Sequence, residues 1–389
     1  MTQNLRDQTD EFINRDDHSL IEKQLLFEVR TLQKLTAQIA DRLSMNLLFE
    51  KMYTTRQKRP PLKALILLTD LDPESLKDLV QRRKKLARIY NVNLTKLEGD
   101  LYSLNVKRFL WKDHISGNAI LDASFKGVWV VYCNEKSRFA RFGLDRLFAR
   151  LYPDVSRLYI NYSQIRTLLD NIKDAYRGQT TLTYFILKRE PKSADSSYKS
   201  GTFQLWEKNA EEELRSQSKN YRLAIHLVNF EVRDENNAIL LQGQMSRRGV
   251  CKLRFGSFAM FHENVVLKAI ELGLKWKGFY GHRERLVKDG EILLRPFRIG
   301  YSSQFDEKQL YRLTEKISKN YLCSIIHGGN PYFAANVCDY LDGSSFGVTA
   351  LGNNVTITPI TKGSHQAAWK LTNRLQEILG DGEIASIMG

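Results

Sequence analysis

Three stretches of this chain carry the same succession of signals. Residues 127–151, 249–275 and 354–379 each read as an apolar strand, a short polar turn and an amphipathic helix. A succession that returns at long spacing implies one supersecondary unit used more than once. The wider order around each stretch agrees. After Pro61, LKALILLTDL reads as a strand, and DPESLKDLVQRRKKLARIY as a helix with Asp72 as cap and Pro73 in its first turn. LTKLEGDLYSLNV, AILDASF and GVWVVYC are strand-like, and the helix SRFARFGLDRLFARLY ends at Pro153.

The order then returns. SRLYI is a strand and SQIRTLLDNIKDAY a helix, followed by the strands TLTYFILKRE, YRLAIHLVNFEV, AILLQGQMS and VCKLRFG and the helix MFHENVVLKAIELGLKW. It returns again in EILLRPFRI, DEKQLYRLTEKISKN, LCSIIHG, YFAANVCDYL, FGVTAL, VTITPI and HQAAWKLTNRLQEIL. Asp342-Gly343 and Asn353-Asn354 supply turn chemistry between successive strands. The expected fold is α+β: three tandem β-α-β-β-β-β-α units with antiparallel sheets. They occupy residues 62–153, 154–289 and 290–389, the second with a polar insertion at 190–220.

Residues 1–61 form a helical arm and linker in this reading. Ser19 and Glu22 have capping-box spacing, and Leu25, Val29, Leu32, Ile39, Leu43 and Leu47 build one apolar stripe on a helix over 19–52. Pro60-Pro61 separates this helix from the strand that begins at Leu62. The stripe serves either as an arm for a protein partner or a second copy, or as a cover packed across its own chain.

The element order, most clearly in the stretch with Pro331, Asp342-Gly343, Asn353-Asn354 and Gly363, resembles one repeat of the TATA-box-binding-protein fold. That resemblance implies curved antiparallel sheets with helices on one face. It carries over no site residue, and fold likeness alone implies no function.

Charge narrows the function classes. The 389 residues carry a net charge of +15, which attracts polyanions, nucleic acid foremost. Apolar runs such as ALILL at 64–68 are too short to cross a membrane, so no membrane role is expected. The polar N-terminus does not read as a signal peptide, and four cysteines without a C-x-x-C spacing fit reduced thiols in the cytoplasm.

Four basic clusters can track phosphates. Arg56, Lys58 and Arg59 lie on the linker. Arg82, Arg83, Lys84 and Lys85 lie on the helix of the first unit. Lys136, Arg138 and Arg141, with Arg146 and Arg150, come from the helix that ends that unit. Arg247 and Arg248 are placed at an exposed hairpin tip, followed by Lys252 and Arg254 alternating along a strand. His327, with Asp339 and Asp342 nearby, is the one segment with a catalytic look, although its spacing fits no metal motif. No P-loop, dinucleotide fingerprint, H-E-x-x-H or G-x-S-x-G is present, and no cofactor is expected. The expectation is a non-enzymatic binder of DNA or RNA within a larger complex. The alternatives are a scaffold docking through helix 19–52 and a metal-dependent nuclease using the His327 region.

Overall fold

A computed structural model describes residues 41–54, 59–111, 113–176, 179–191, 201–206, 221–281, 286–288, 291–293 and 295–386. It is an α+β protein with antiparallel sheets. Residues 19–40, which carry most of the expected helical arm, lie outside the described residues.

The pivot of the fold is β1 (Leu62–Thr69), buried along its whole length. Its run of Leu, Ile and Ala offers apolar side chains to both faces, which suits a strand covered on both sides. One edge pairs with β5 (Val128–Cys133). The other edge is shared: Leu62–Leu65 pair with β11 (Val250–Gly256), and Leu67–Thr69 with β6 (Val155–Arg157). On the β5 side follow β4 (His114–Phe125), β3 (Leu101–Phe109) and β2 (Tyr90–Lys96). On the β11 side follow β10 (Ile239–Ser246), β9 (Tyr221–Arg233), β7 (Gln179–Pro191) and β8 (Gly201–Trp206). Strands from residues 62–153 and 154–289 therefore form one eleven-stranded sheet. LTKLEGDLYSLNV, read as one segment, spans β2 and β3, because Gly99 takes a positive φ and turns the chain.

The two halves of this sheet are covered from opposite sides. Leu65 and Leu67 of β1 meet α2 (Ser75–Arg82), α3 (Lys84–Ala87) and a helix whose π turn Phe139–Leu144 runs into α4 (Asp145–Arg150). Leu62, Ala64, Ile66 and Leu68 meet the opposite core. That core holds α1 (Arg42–Thr54), α5 (Tyr162–Tyr176) and a helix built from α6 (Phe258–Phe261), the π turn His262–Leu267 and α7 (Lys268–Gly281). β1 is double-sided, so the sheet carries one helix set on each side, and among the described residues no helix covers the second half on the side where the first is covered.

α1 corrects the expected stripe. Its buried side is Met45, Phe49, Met52 and Tyr53, whereas Leu43 and Leu47 are 68% and 61% exposed. The helix is turned by its partners. Phe49 packs against Phe258 at 5.1 Å and Tyr132 at 6.1 Å. Arg42 donates to the buried carboxylate of Asp122 at 2.7 Å, and Glu50 accepts from Ser257 Oγ and Ala259 N at the start of α6. Each large side chain so buried stabilises by about 1.5–3 kcal/mol, so α1 belongs to the body.

A short hairpin, β12 (Leu286–Lys288) and β13 (Glu291–Leu293), leads to a second sheet of six strands. EILLRPFRI, read as one strand, is split there between β13 and β14 (Phe297–Gly300) by Pro296. The order is β15 (Leu322–Gly328), β16 (Tyr332–Cys338), β17 (Ser345–Leu351), β18 (Asn354–Thr361), β14 and β19 (Glu383–Ser386). α8 (Glu307–Ile317) and α9 (His365–Leu379) cover one face, α8 starting at an Asp306–Gln309 capping box. The β17–β18 turn is Gly352-Asn353, one residue earlier than expected, because Gly352 accepts the positive φ. Trp369 of α9 joins this sheet to the body through Tyr280 and Trp276 of α7 at 5.3 and 6.1 Å.

Candidate functional site

The open face of the second half of the large sheet is set by strand alternation. Along β11, Cys251 and Leu253 point into the core while Val250, Lys252 and Arg254 point out. Register then brings other strands into line. Lys252 stands opposite Lys63 of β1 on one side and Gln244 of β10 on the other, and Gln244 stands opposite Asn229 of β9. Four polar side chains thus form one row across four strands. The neighbouring row is mostly apolar: Leu65 faces Val250, and Leu227 of β9 stands between Ser246 of β10 and Ile186 of β7.

The helix of the first half walls this face. The Phe139 ring fills the space left by two glycines. A Cβ on Gly117 or Gly143 would lie 2.8 Å from it. This seats the π turn against the sheet and carries Arg141 to the edge of the open face. Between wall and sheet lies a cleft of about 390 Å3, with Ser137, Arg141 and Asp145 on the wall and Arg248 at the β10–β11 tip.

The cleft concentrates positive charge at a cost. Burial, followed by repulsion from Lys63 and Arg254, pushes the Lys252 ammonium pKa down. Burial also pushes Lys63 down, although Cys133 and Glu135 nearby favour its charge. Its Nζ donates to the carbonyls of Glu135 at 2.6 Å and Pro61 at 3.2 Å. Asp145 on the wall pairs with Arg157 at 2.8 Å. Its own carboxyl is pushed up by burial against the pull of Arg157, Arg248 and Arg141. Further along the open face, Glu231 holds Arg233 and Gln242, so that end is balanced. Clustered like charges that burial disfavours are what an anion relieves.

Of the residues expected to bind phosphate, Arg141, Arg248 and Lys252 come together here, and Arg254 follows Lys252 on the same face. Lys136 is exposed beside Ser137, and Arg138 pairs with Asp113 at 2.8 Å. Arg82, Lys84 and Lys85 are exposed on α2 and α3, away from the cleft lining. Arg59 is exposed ahead of β1, whereas Arg56 and Lys58 lie outside the described residues.

Two placements are corrected. Arg83 is a clamp, donating to the carbonyls of Arg150, Leu151 and Tyr152 at 2.6, 3.2 and 3.0 Å and to Asp154. It satisfies carbonyls at the end of α4 that the helix leaves free. Arg247 is 1% exposed, pairs with Asp381 and lies 4.6 Å over the Tyr159 ring. The hairpin tip is packed rather than free. Ile160 N donates to the Arg247 carbonyl at 2.8 Å, and Gly249 presses so close that a Cβ would meet Leu158 O at 2.6 Å.

Lys63 and Gln244 were absent from the sequence expectations. A lone Lys in LKALILLT was the only signal for the first, and nothing local marks the second. The His327 region separates into structural parts. The His327 ring stacks on Tyr332 at 4.1 Å. Asp339, fully buried, accepts from Tyr152 Oη at 2.6 Å and Lys370 Nζ at 2.8 Å. Asp342 accepts from Ser344, Ser364 and Lys362. Among the described residues no group of three or more His, Cys, Asp or Glu side chains is arranged to hold a metal ion, and no helix is long and apolar enough to cross a membrane. Comparison with protein-family models and with curated proteins finds no match for this chain.

Proposed function

We propose that this chain is a non-enzymatic nucleic-acid-binding protein whose phosphate-binding surface is the cleft between the π turn at 139–144 and the open face of β11. One observation carries the reading. Arg141, Arg248 and Lys252, from two separate regions of the sequence, converge on one cleft, beside the buried Lys63 whose Nζ is held by carbonyls. Long cations spaced along a groove follow a phosphate backbone, and each contact releases counterions. The net charge of +15 raises the rate of encounter.

Fluorescence anisotropy with labelled single- and double-stranded DNA and RNA, at two or more salt concentrations, tests this. Affinity is expected to fall steeply with salt. Arg248→Ala and Lys252→Ala are each expected to reduce the slope of log K against log salt by about one. Absence of binding, or binding indifferent to salt, sinks the reading.

The order of strands supports the reading of three related units, the TATA-box-binding-protein-like arrangement included. In the first, the order is β2-β3-β4-β5-β1, and in the third β15-β16-β17-β18-β14, so the opening strand lies beside the last in both. The second ends likewise in a helix with a π turn soon after its last strand, as the first does. A second functional reading, a scaffold that docks a protein through its N-terminal helix, is favoured by the exposed Leu43 and Leu47 on α1.

A further inference from the structure

The cleft has a floor as well as a charged rim. Gln244 is 4% exposed, in the row between Lys252 and Asn229. Its Nε2 donates to Asn229 Oδ1, while its Oε1, also buried, finds no donor among the described residues. A buried acceptor without a donor costs about 1–3 kcal/mol. A side chain of the cleft lining that is fixed by its neighbour and left with an unpartnered acceptor just beneath the surface is a place for a ligand's donor.

The rest of the lining says what that ligand is. The neighbouring row contributes Leu65, Val250, Leu227 and Ile186, a largely apolar surface in which the one polar side chain, Ser246, already accepts from Val250 N. Arg141, Arg248 and Lys252 supply the positive end. The two rows are two residues apart along the strands, about 7 Å. A ligand that matches is flat and apolar on its faces, carries N–H donors on its edge and holds an anionic group about the width of a sugar away. That is a nucleotide. The volume of about 390 Å3 falls in the range of small-ligand pockets, about 300–1,000 Å3. A duplex with its stacked, paired bases does not fit a cleft of this volume, so the base must be out of its stack.

We propose that this cleft receives one unstacked nucleotide of a single strand, its base on the Leu65–Val250 row with an N–H on Gln244 Oε1, and its phosphate among Arg141, Arg248 and Lys252. This rests on the nucleic-acid reading and makes it specific: the cleft reads the base as well as the backbone.

The test uses the full chain and two 20-nucleotide probes of equal charge. One carries bases and the other is abasic throughout. The wild-type protein is expected to bind the base-bearing strand about tenfold tighter or more. Gln244→Leu, which keeps every charge, is expected to shrink that preference several-fold while leaving the salt slope unchanged. Equal affinity of the wild type for both probes overturns the proposal but leaves phosphate binding standing, whereas failure to bind either probe sinks both. A preference that persists in a folded Gln244→Leu protein places base recognition elsewhere and also overturns it. Should that variant melt early, cross-linking of 5-iodouracil strands to the wild type decides. Cross-links at the cleft support the proposal, and cross-links confined to other surfaces overturn it.

Discussion

Arg247 and Arg248 are neighbours in the chain and opposites in the fold. Arg247 turns inward, its guanidinium paired with Asp381 and stacked on Tyr159, while Arg248 points out at the mouth of the cleft. Replacing Arg247 by Met removes the buried guanidinium that pairs with Asp381. Breaking a buried pair from one side costs about 3–5 kcal/mol. Calorimetry should show a large fall in Tm for Arg247→Met and a change within about 0.5 kcal/mol for Arg248→Ala. The binding assay should rank them the other way among proteins that remain folded. A stable Arg247→Met protein would mean the tip is not packed as described.

In the nucleic-acid reading, Trp111 extends the proposed binding path. It is 95% exposed at the β3–β4 tip, next to Phe109 and Leu110, a place where a large aromatic is seldom left bare. Asp113 at the same tip holds Arg138, which lies one residue from Ser137 of the cleft wall. Base stacking on an aromatic contributes about 1–3 kcal/mol. Trp111→Ala should therefore weaken single-strand binding by about five- to a hundredfold, with Tm unchanged. An affinity equal to wild type would remove the tip from the path.

The N-terminal segment can be cut in one place and not in another. Removing residues 1–40 should leave a folded body. Removing residues 1–54 also strips Met45, Phe49, Met52 and Tyr53 from the core and should give a protein that melts early or aggregates. Leu43→Lys with Leu47→Lys should keep the Tm, because both side chains are already in water. In the scaffold reading, the same pair should lower partner capture or self-association measured by sedimentation. If the double variant unfolds, that face is not exposed as described.

His262 should set an acid limit on stability. Burial lowers its pKa from the ordinary 6.5, opposed by Asp122, assisted by Arg42 and opposed again by Glu263. The unfolded chain then binds the proton more readily than the folded one. Stability from this residue is complete above about pH 6.5 and is lost as pH falls from there toward the folded-state value. His262→Phe keeps a ring beside Phe258, 5.8 Å from the histidine ring. Chemical denaturation at pH 7.5 and 5.5 should show a smaller difference for the variant than for the wild type. An unchanged difference would assign the pH response to other groups.

Much of the local structure was legible because it depends on near neighbours. The period of two in VCKLRFG placed Lys252 and Arg254 on one face, and that placement holds. The turn at Asp342-Gly343, the helix stop at Pro153 and the helix from Asp306 follow from backbone geometry and capping that a few residues decide. Tertiary structure decided the rest, because burial and register belong to pairs of distant segments. Which leucines of α1 face the body depended on Tyr132 and Phe258, some eighty and two hundred residues away. Which of two adjacent arginines is free depended on Asp381. The cleft itself exists because β1 pairs with β11, which sets Lys63 beside Lys252 and Gln244 beyond it. The alternation of a strand determines which side chains share a face. Only the strands it meets, and the helix that does or does not cover them, determine whether that face becomes core or site.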